Sequence, residues 1–218
     1  MLDNKSLKER ISIIFNYYTV KNFDKLIEEA NRLLKKNPNI DLLWNILGLT
    51  YQQKGNFEKA ETNFFKCLQV NPKNISATNN LGNNYKYLFN YNKAEDYFQK
   101  ALKQNPKYLN ALVNYGNLKF ELNQSLEALK LLNKALIIDD KSISVNINLA
   151  LVYQSIGEYE KAINTLKKIN KLNPNVVRAD KMMSALIDYN KDKDHLLSME
   201  KKLEELELND DQKVFLHF

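Results

Sequence analysis

The chain has 218 residues, 44% of them apolar and 27% charged, with five glycines and four prolines, a balance that fits a soluble helical protein and excludes collagenous or low-complexity architectures. Its net charge is +6, from 32 basic against 26 acidic residues, and a mixed, lysine-rich surface of this kind promotes solubility rather than marking a nucleic-acid binder. Cys67 is the single cysteine, which excludes a disulfide framework and a thiolate metal cluster.

Residues 1–6 form a short polar lead without a signal-peptide core. No apolar run is long enough to span a bilayer, so a cytoplasmic location without membrane contact is expected. From Leu7 onward a unit recurs every 34 residues: 7–40, 41–74, 75–108, 109–142 and 143–176. A fixed period of this length predicts stacked helix pairs rather than one closed core.

The unit 41–74 shows the pattern most fully. A first helix is predicted over about 41–54, where Leu43, Trp44, Leu47 and Tyr51 recur at spacings of three and four and so share a face. Gly55-Asn56 breaks it. A second helix is predicted over about 57–70, with Phe57, Ala60, Phe64, Cys67 and Leu68 inward. Asn71-Pro72 closes it, because the residue before a proline is pushed out of the α region. Ala101 and Ala135 occupy the slot of Cys67, so Cys67 reads as a buried small hydrophobe.

The next unit repeats the set with Leu81, Gly82, Tyr85, Ala94, Phe98, Ala101 and Pro106. Unit 109–142 keeps Gly116, Ala128 and Ala135, but has Lys119 in the tyrosine slot and Asp140 in the proline slot. Unit 143–176 keeps Tyr153, Ala162 and Pro174, but has Ala150 for the glycine and Leu166 for the phenylalanine. The first unit retains Tyr17, Phe23, Leu26, Leu33 and Pro38. A mid-helix glycine costs about 1 kcal/mol against alanine, so the recurrence of Gly48 and Gly82, with Ala60 and Ala94 opposite, implies close approach of two helix backbones.

Past 176 the pattern decays. Residues 177–208 read as an irregular sixth pair that closes the stack. Its helices are predicted at 178–189, with Ala179, Met182, Met183, Leu186 and Ile187 apolar, and at 195–208. The second has Leu196, Leu197, Met199, Leu203 and Leu206 inward, with Lys201, Lys202, Glu204 and Glu205 outward. Residues 190–194 form a charged turn between them. At 209–218 the Asn209-Asp210 cap opens a further helix. Its Val214, Phe215, Leu216 and Phe218 are expected to be exposed, as in a truncated chain.

The residues Trp44, Leu47-Gly48, Tyr51, Ala60, Phe64 and Pro72, and their partners one period on, resemble the tetratricopeptide repeat. Gly116, Ala128 and Ala162 extend the resemblance. It implies an all-α solenoid: a right-handed superhelix of antiparallel helix pairs, with a concave groove lined by the first helix of each pair. It further implies a scaffold that holds a protein or an extended peptide in that groove.

Asn80, Asn114 and Asn148 fall in one groove slot, one period apart, and Asn83 and Asn117 share another. An asparagine amide supplies both donors and an acceptor, the set needed to bracket a peptide backbone. This register is similar to the asparagine ladder of protein O-linked N-acetylglucosamine transferases, although Ile46 interrupts it. Asparagine is about one residue in seven here, so coincidental register is the competing reading. Tyr87 and Phe120 are candidate aromatic anchors or, equally, packing residues between repeats. Lys73, Lys107 and Lys141 form a rim register suited to steering an acidic partner. The carboxylate clamp of tetratricopeptide co-chaperones is not expected: Asn83 and Asn117 fit its asparagine slots, but Asn79, Asn80, Val113 and Asn114 stand where it needs cations.

No catalytic constellation is present, and neither a cofactor nor a metal is implied. His195 and His217 have no second ligand at metal spacing, and there is no glycine-rich phosphate loop or nucleophile elbow. The stretch from Met182-Met183 through Asp194-His195-Leu196 to Leu216-His217-Phe218 resembles the linker of bacterial proteins that carry these repeats ahead of a sulfotransferase domain. That resemblance implies an alternative role, the substrate-recruiting arm of a larger transferase. A third reading, a helical-repeat RNA binder, has only the net charge behind it and no continuous basic stripe.

Overall fold

The computed structural model describes residues 4–190 and 193–216. Among the described residues there are thirteen helices and no strand. The chain divides into two compact units, the first ending at Ala111 and the second beginning at Leu112.

The first unit contains α1 (Asn4–Thr19), α2 (Phe23–Lys36), α3 (Asp41–Gln53), α4 (Phe57–Val70), α5 (Ile75–Tyr87) and α6 (Tyr91–Gln104), paired in chain order. The expected polar lead is corrected here. Asn4 to Ser6 are already helical, because α1 begins a full turn before Leu7. Ile14, Leu26, Ala30, Leu33, Leu43, Ile46 and Leu47 form one core cluster shared by α1, α2 and α3. The second helix of each pair starts on an asparagine. Asn22, Asn56 and Asn90 each accept, through the side-chain oxygen, the backbone N–H three residues on.

The glycines mark where the helix backbones approach closely. A Cβ built on Gly82 would lie 2.6 Å from the ring of Phe98, and one on Gly48 would strike Phe64. Phe64 and Phe98 are completely buried, so neither ring has room to retreat. The turns inside the pairs are also periodic: Lys21, Gly55, Phe89, Asn123 and Gly157, 34 residues apart, all have φ between 56° and 79°. Only two of the five are glycine, the residue that adopts this left-handed conformation without steric cost.

The second unit holds most of α7 (Leu109–Glu121), then α8 (Ser125–Ile138), α9 (Ile143–Ser155), α10 (Tyr159–Leu172), α11 (Val177–Ser184), α12 (Asp194–Glu205) and α13 (Asp210–Leu216). Its departures from the repeat pattern come in compensating pairs. A Cβ on Gly116 would lie 3.0 Å from Leu132, which replaces the phenylalanine of earlier units, and the last full repeat combines Ala150 with Leu166 in one core cluster. Lys59 and Lys93 lie over the rings of Tyr51 and Tyr85. In the next repeat the tyrosine becomes Lys119 and the lysine becomes Glu127, and the two pair at 3.1 Å. Asp139 keeps the function of Asn71 and Asn105, since its side-chain oxygen accepts the N–H of Lys141 as theirs accept those of Lys73 and Lys107.

The closing elements differ from expectation in four respects. Helix α11 ends at Ser184, not at 189, because the amides of Leu186 and Ile187 both turn back onto the Met183 carbonyl. The two side chains still reach the core cluster around Ile147, so their burial needs no helix. Helix α12 ends at Glu205, not at 208. Leu206 is extended, which directs Leu206 and Leu208 together into the cluster of Val177, Met199 and Leu216. Leu197 is exposed whereas Lys202, expected outward, is buried. Leu216 is buried as well, while Val214 is exposed; the side chains of Phe215 and Phe218 lie outside the described residues.

Candidate peptide-binding face

The candidate site residues lie on the first helices of the pairs. In the first unit, Asn80 of α5 is buried, donates its amide nitrogen to Asn45 Oδ1 of α3 at 3.0 Å, and accepts from Asn79 at 3.4 Å. Asn84 donates to the carbonyl of Phe57 at 2.9 Å and accepts from Gln52 at 3.4 Å. A buried amide without a partner would cost about 1–3 kcal/mol, so these side chains act as struts between α3, α4 and α5. Asn83 is half-exposed and, among the described residues, its side chain makes no hydrogen bond. Tyr87 is 52% exposed and stacks on Phe57 with ring centroids 5.3 Å apart.

In the second unit, Asn114, Asn117, Phe120 and Asn148 are all half-buried. Asn114 is hydrogen-bonded or otherwise engaged, whereas the amides of Asn117 and Asn148 have no partner among the described residues. The three rim lysines, Lys73, Lys107 and Lys141, are exposed. Of the residues that carry the repeat pattern, Gly48, Ala60, Gly82, Tyr85, Ala94, Gly116, Ala128 and Ala162 are buried, and Trp44 and Tyr51 are half-buried. Cys67 is fully buried and its thiol is pushed up to about 12 by desolvation, which leaves it unreactive. Burial, together with donation to Glu61, also raises the Tyr85 hydroxyl.

A cavity of about 420 Å³ opens on this face of the second unit, lined by Gln154 of α9, Arg178, Lys181 and Met182 of α11, and Ala185. Sequence reasoning missed it, because α11 lies past the last regular repeat. The available signal was Arg178 itself, one of three arginines among the 32 basic residues.

Behind α11 sits a buried polar cluster. Asp180 is fully buried and accepts from Lys202 Nζ at 2.6 Å and from Asn170; His195 Nε2 lies 3.3 Å from it, and His195 Nδ1 meets the Tyr189 hydroxyl at 2.8 Å. Burial raises the Asp180 carboxyl, but hydrogen bonds from His195 and Lys202 and the Lys202 charge outweigh it, so the group ends below its ordinary value. The cluster joins α10, α11 and α12. Among the described residues no group of three potential ligands is placed to hold a metal ion. Nor is any described helix long and apolar enough to cross a membrane.

Helix pairs in 34-residue register, with a small residue of the first helix closed against a large apolar residue of the second (Gly48 on Phe64, Gly82 on Phe98, Gly116 on Leu132) and amides on the first helices, define a tetratricopeptide-type repeat protein. Family models described as tetratricopeptide repeat match at residues 38–107, 75–141 and 124–186. These cover well over half of the sequence, and the chain belongs to the tetratricopeptide repeat family. It is similar in structure to a thermophilic TPR protein of Thermus thermophilus, with a TM-score of 0.73 and 21% identity over 82% of this chain and 98% of that one. It is also similar to pilF of Pseudomonas aeruginosa, with a TM-score of 0.76 and 17% identity over 95% and 94% of the two chains. A third likeness is to YrrB, described as a TPR protein with an unusual peptide-binding site, with a TM-score of 0.58 and 17% identity over 80% and 91%. At these identities the likeness is one of fold. Comparison with curated proteins finds no match.

Proposed function

We propose that this chain is a non-catalytic scaffold that binds a protein or an extended peptide along the face carried by its first helices. The observation that carries the reading is a contrast within one residue type. Asn80 and Asn84 are consumed as struts, whereas Asn83, Asn117 and Asn148 keep partly exposed amides that no described group satisfies. Asparagine is a mediocre helix former, so its retention on these helices without an internal partner favours an external one. Tyr87 shares α5 with Asn83, Asn114 and Phe120 share α7 with Asn117, and the exposed Lys73, Lys107 and Lys141 would supply a cationic rim. A recruiting arm of a larger transferase would use the same face. Neither an RNA-binding nor a catalytic role has an observation in its favour.

The test is a peptide-array screen followed by calorimetry on wild type and on the Asn83→Ala, Asn117→Ala, Asn148→Ala triple variant. Each lost amide leaves peptide groups unpaired at roughly 1–3 kcal/mol apiece, so affinity should fall by two orders of magnitude or more, as a rough estimate, with the fold intact. Unchanged affinity would place the binding surface elsewhere.

A further inference from the structure

We infer that the cavity at α11 recognises an acidic side chain within an extended, capped stretch of peptide, with Arg178 as the carboxylate-binding residue. The inference rests on the proposed binding face and names the chemistry of what that face accepts. Five lysines of the second unit are paired in place: Lys119 with Glu127, Lys161 with Glu158, Lys168 with Asp140, Lys201 with Glu205 and Lys202 with Asp180. Arg178 is exposed at the cavity and, among the described residues, no carboxylate pairs with it. A guanidinium presents a planar fork of donors that matches a carboxylate bidentately, which a lysine ammonium does not. This chain uses arginine at only three positions, against 29 lysines, so its placement at a cavity mouth is informative.

The rest of the lining sets the company the carboxylate keeps. Lys181 lies one turn along α11 and also lines the cavity. Met182 packs against the Ile147 cluster and offers a deformable apolar floor. Gln154 presents a donor and an acceptor together, the pair that a continuing peptide bond requires and a terminal carboxylate does not. The occupant is therefore an internal Asp or Glu with an apolar neighbour.

The test uses the full chain and an array of acetylated, amidated decapeptides whose Asp and Glu content runs from none upward. The retained peptides should combine an acidic with an apolar residue. The best binder, titrated by calorimetry, should weaken about tenfold when its acid is changed to the amide, and again when Arg178→Ala replaces the fork. The two changes together should cost little more than either alone, and Arg178→Lys should restore only part of the loss. Arg178 is exposed, so these variants keep the fold, which circular dichroism verifies. Retained peptides without acids, an unaltered affinity in Arg178→Ala, or binding that needs a free C-terminal carboxylate would each overturn the inference and leave the binding face standing. An array with no retained peptide would instead remove the binding face itself, and this inference with it.

Discussion

Gly82→Ala measures how tightly the helix pairs are closed. The added methyl would sit 2.6–3.0 Å from three atoms of the Phe98 ring, and that ring is completely buried. Alanine in place of a mid-helix glycine is worth about 1 kcal/mol in propensity, whereas overpacking a filled core costs about 1–3 kcal/mol. Contacts under 3.0 Å against a buried ring put the cost in the upper part of that range, so the variant should lose about 1–2 kcal/mol net. Phe98→Leu alone should also destabilise, by leaving unfilled volume. The double variant recreates the Ala150–Leu166 combination found two repeats later, and its loss should be smaller than the sum of the single losses by about 1–2 kcal/mol. Gly116→Ala is the milder comparison: its methyl would lie 3.0–3.1 Å from the buried Leu132 and 3.6 Å from the Ala128 carbonyl, so its loss should be smaller than that of Gly82→Ala. Urea unfolding followed by circular dichroism reads all four variants. Strict additivity of the two changes, or a Gly82→Ala as stable as wild type, would refute the reasoning.

Phe89 is 78% exposed at φ 56° and its ring makes an edge contact with Tyr91 at 6.3 Å, so Phe89→Gly removes backbone strain at the loss of one exposed contact, and the melting midpoint should rise by an amount equivalent to about 1 kcal/mol or less. Asn80→Ala strands the buried oxygen of Asn45 and should cost about 1–2 kcal/mol, whereas half-exposed Asn83→Ala should be nearly neutral; equal effects in denaturation would contradict the strut assignment. The Asp180 carboxyl titrates below its ordinary 3.8 in the folded chain, so its contribution is complete above that pH and is lost as the pH falls through the depressed folded value. Asp180→Ala should cost about 3–5 kcal/mol at neutral pH by leaving Lys202 buried and unpaired, and should flatten the stability profile below about pH 4. A variant with the wild-type acid profile would assign the acid sensitivity to another group.

The helix pairs were legible because their determinants are local and periodic. Phe57 and Val70 bound α4 as read from the sequence, since asparagine caps and the Asn-Pro step act within a few residues. The closing pair was not legible to the same depth. Lys202 reads as a surface lysine in any helical projection, and only the arrival of Asp180 from 22 residues away turns it inward. Leu206 and Leu208 fit a helical stripe and an extended alternation equally well, and the Val177 cluster selects the latter. The asparagine register shows the same division. Its period was visible, but which amides are spent on neighbouring helices depends on distances between α3, α4 and α5 that no spacing rule contains.

The departures from the repeat carry a more general lesson. Alanine for glycine occurs with leucine for phenylalanine, lysine for tyrosine with glutamate for lysine, and aspartate for asparagine where the turn acceptor must persist. Each exchange breaks the residue pattern and preserves the contact, so the contact is what each repeat specifies. A residue that departs from its neighbours without a compensating partner stands out on that basis. Phe89 does so in conformation and Arg178 in charge. The left-handed turn at Phe89 recurs in each of the five 34-residue repeats, so its cost is inherited from the fold. Among the described residues Arg178 has no ion-pair or hydrogen-bond partner, and it borders a cavity of the same unit that carries the unsatisfied amides of Asn117 and Asn148. Because a fold under selection for stability alone would gain nothing from an unpaired guanidinium there, the balance of forces at α11 points outward, toward a bound carboxylate.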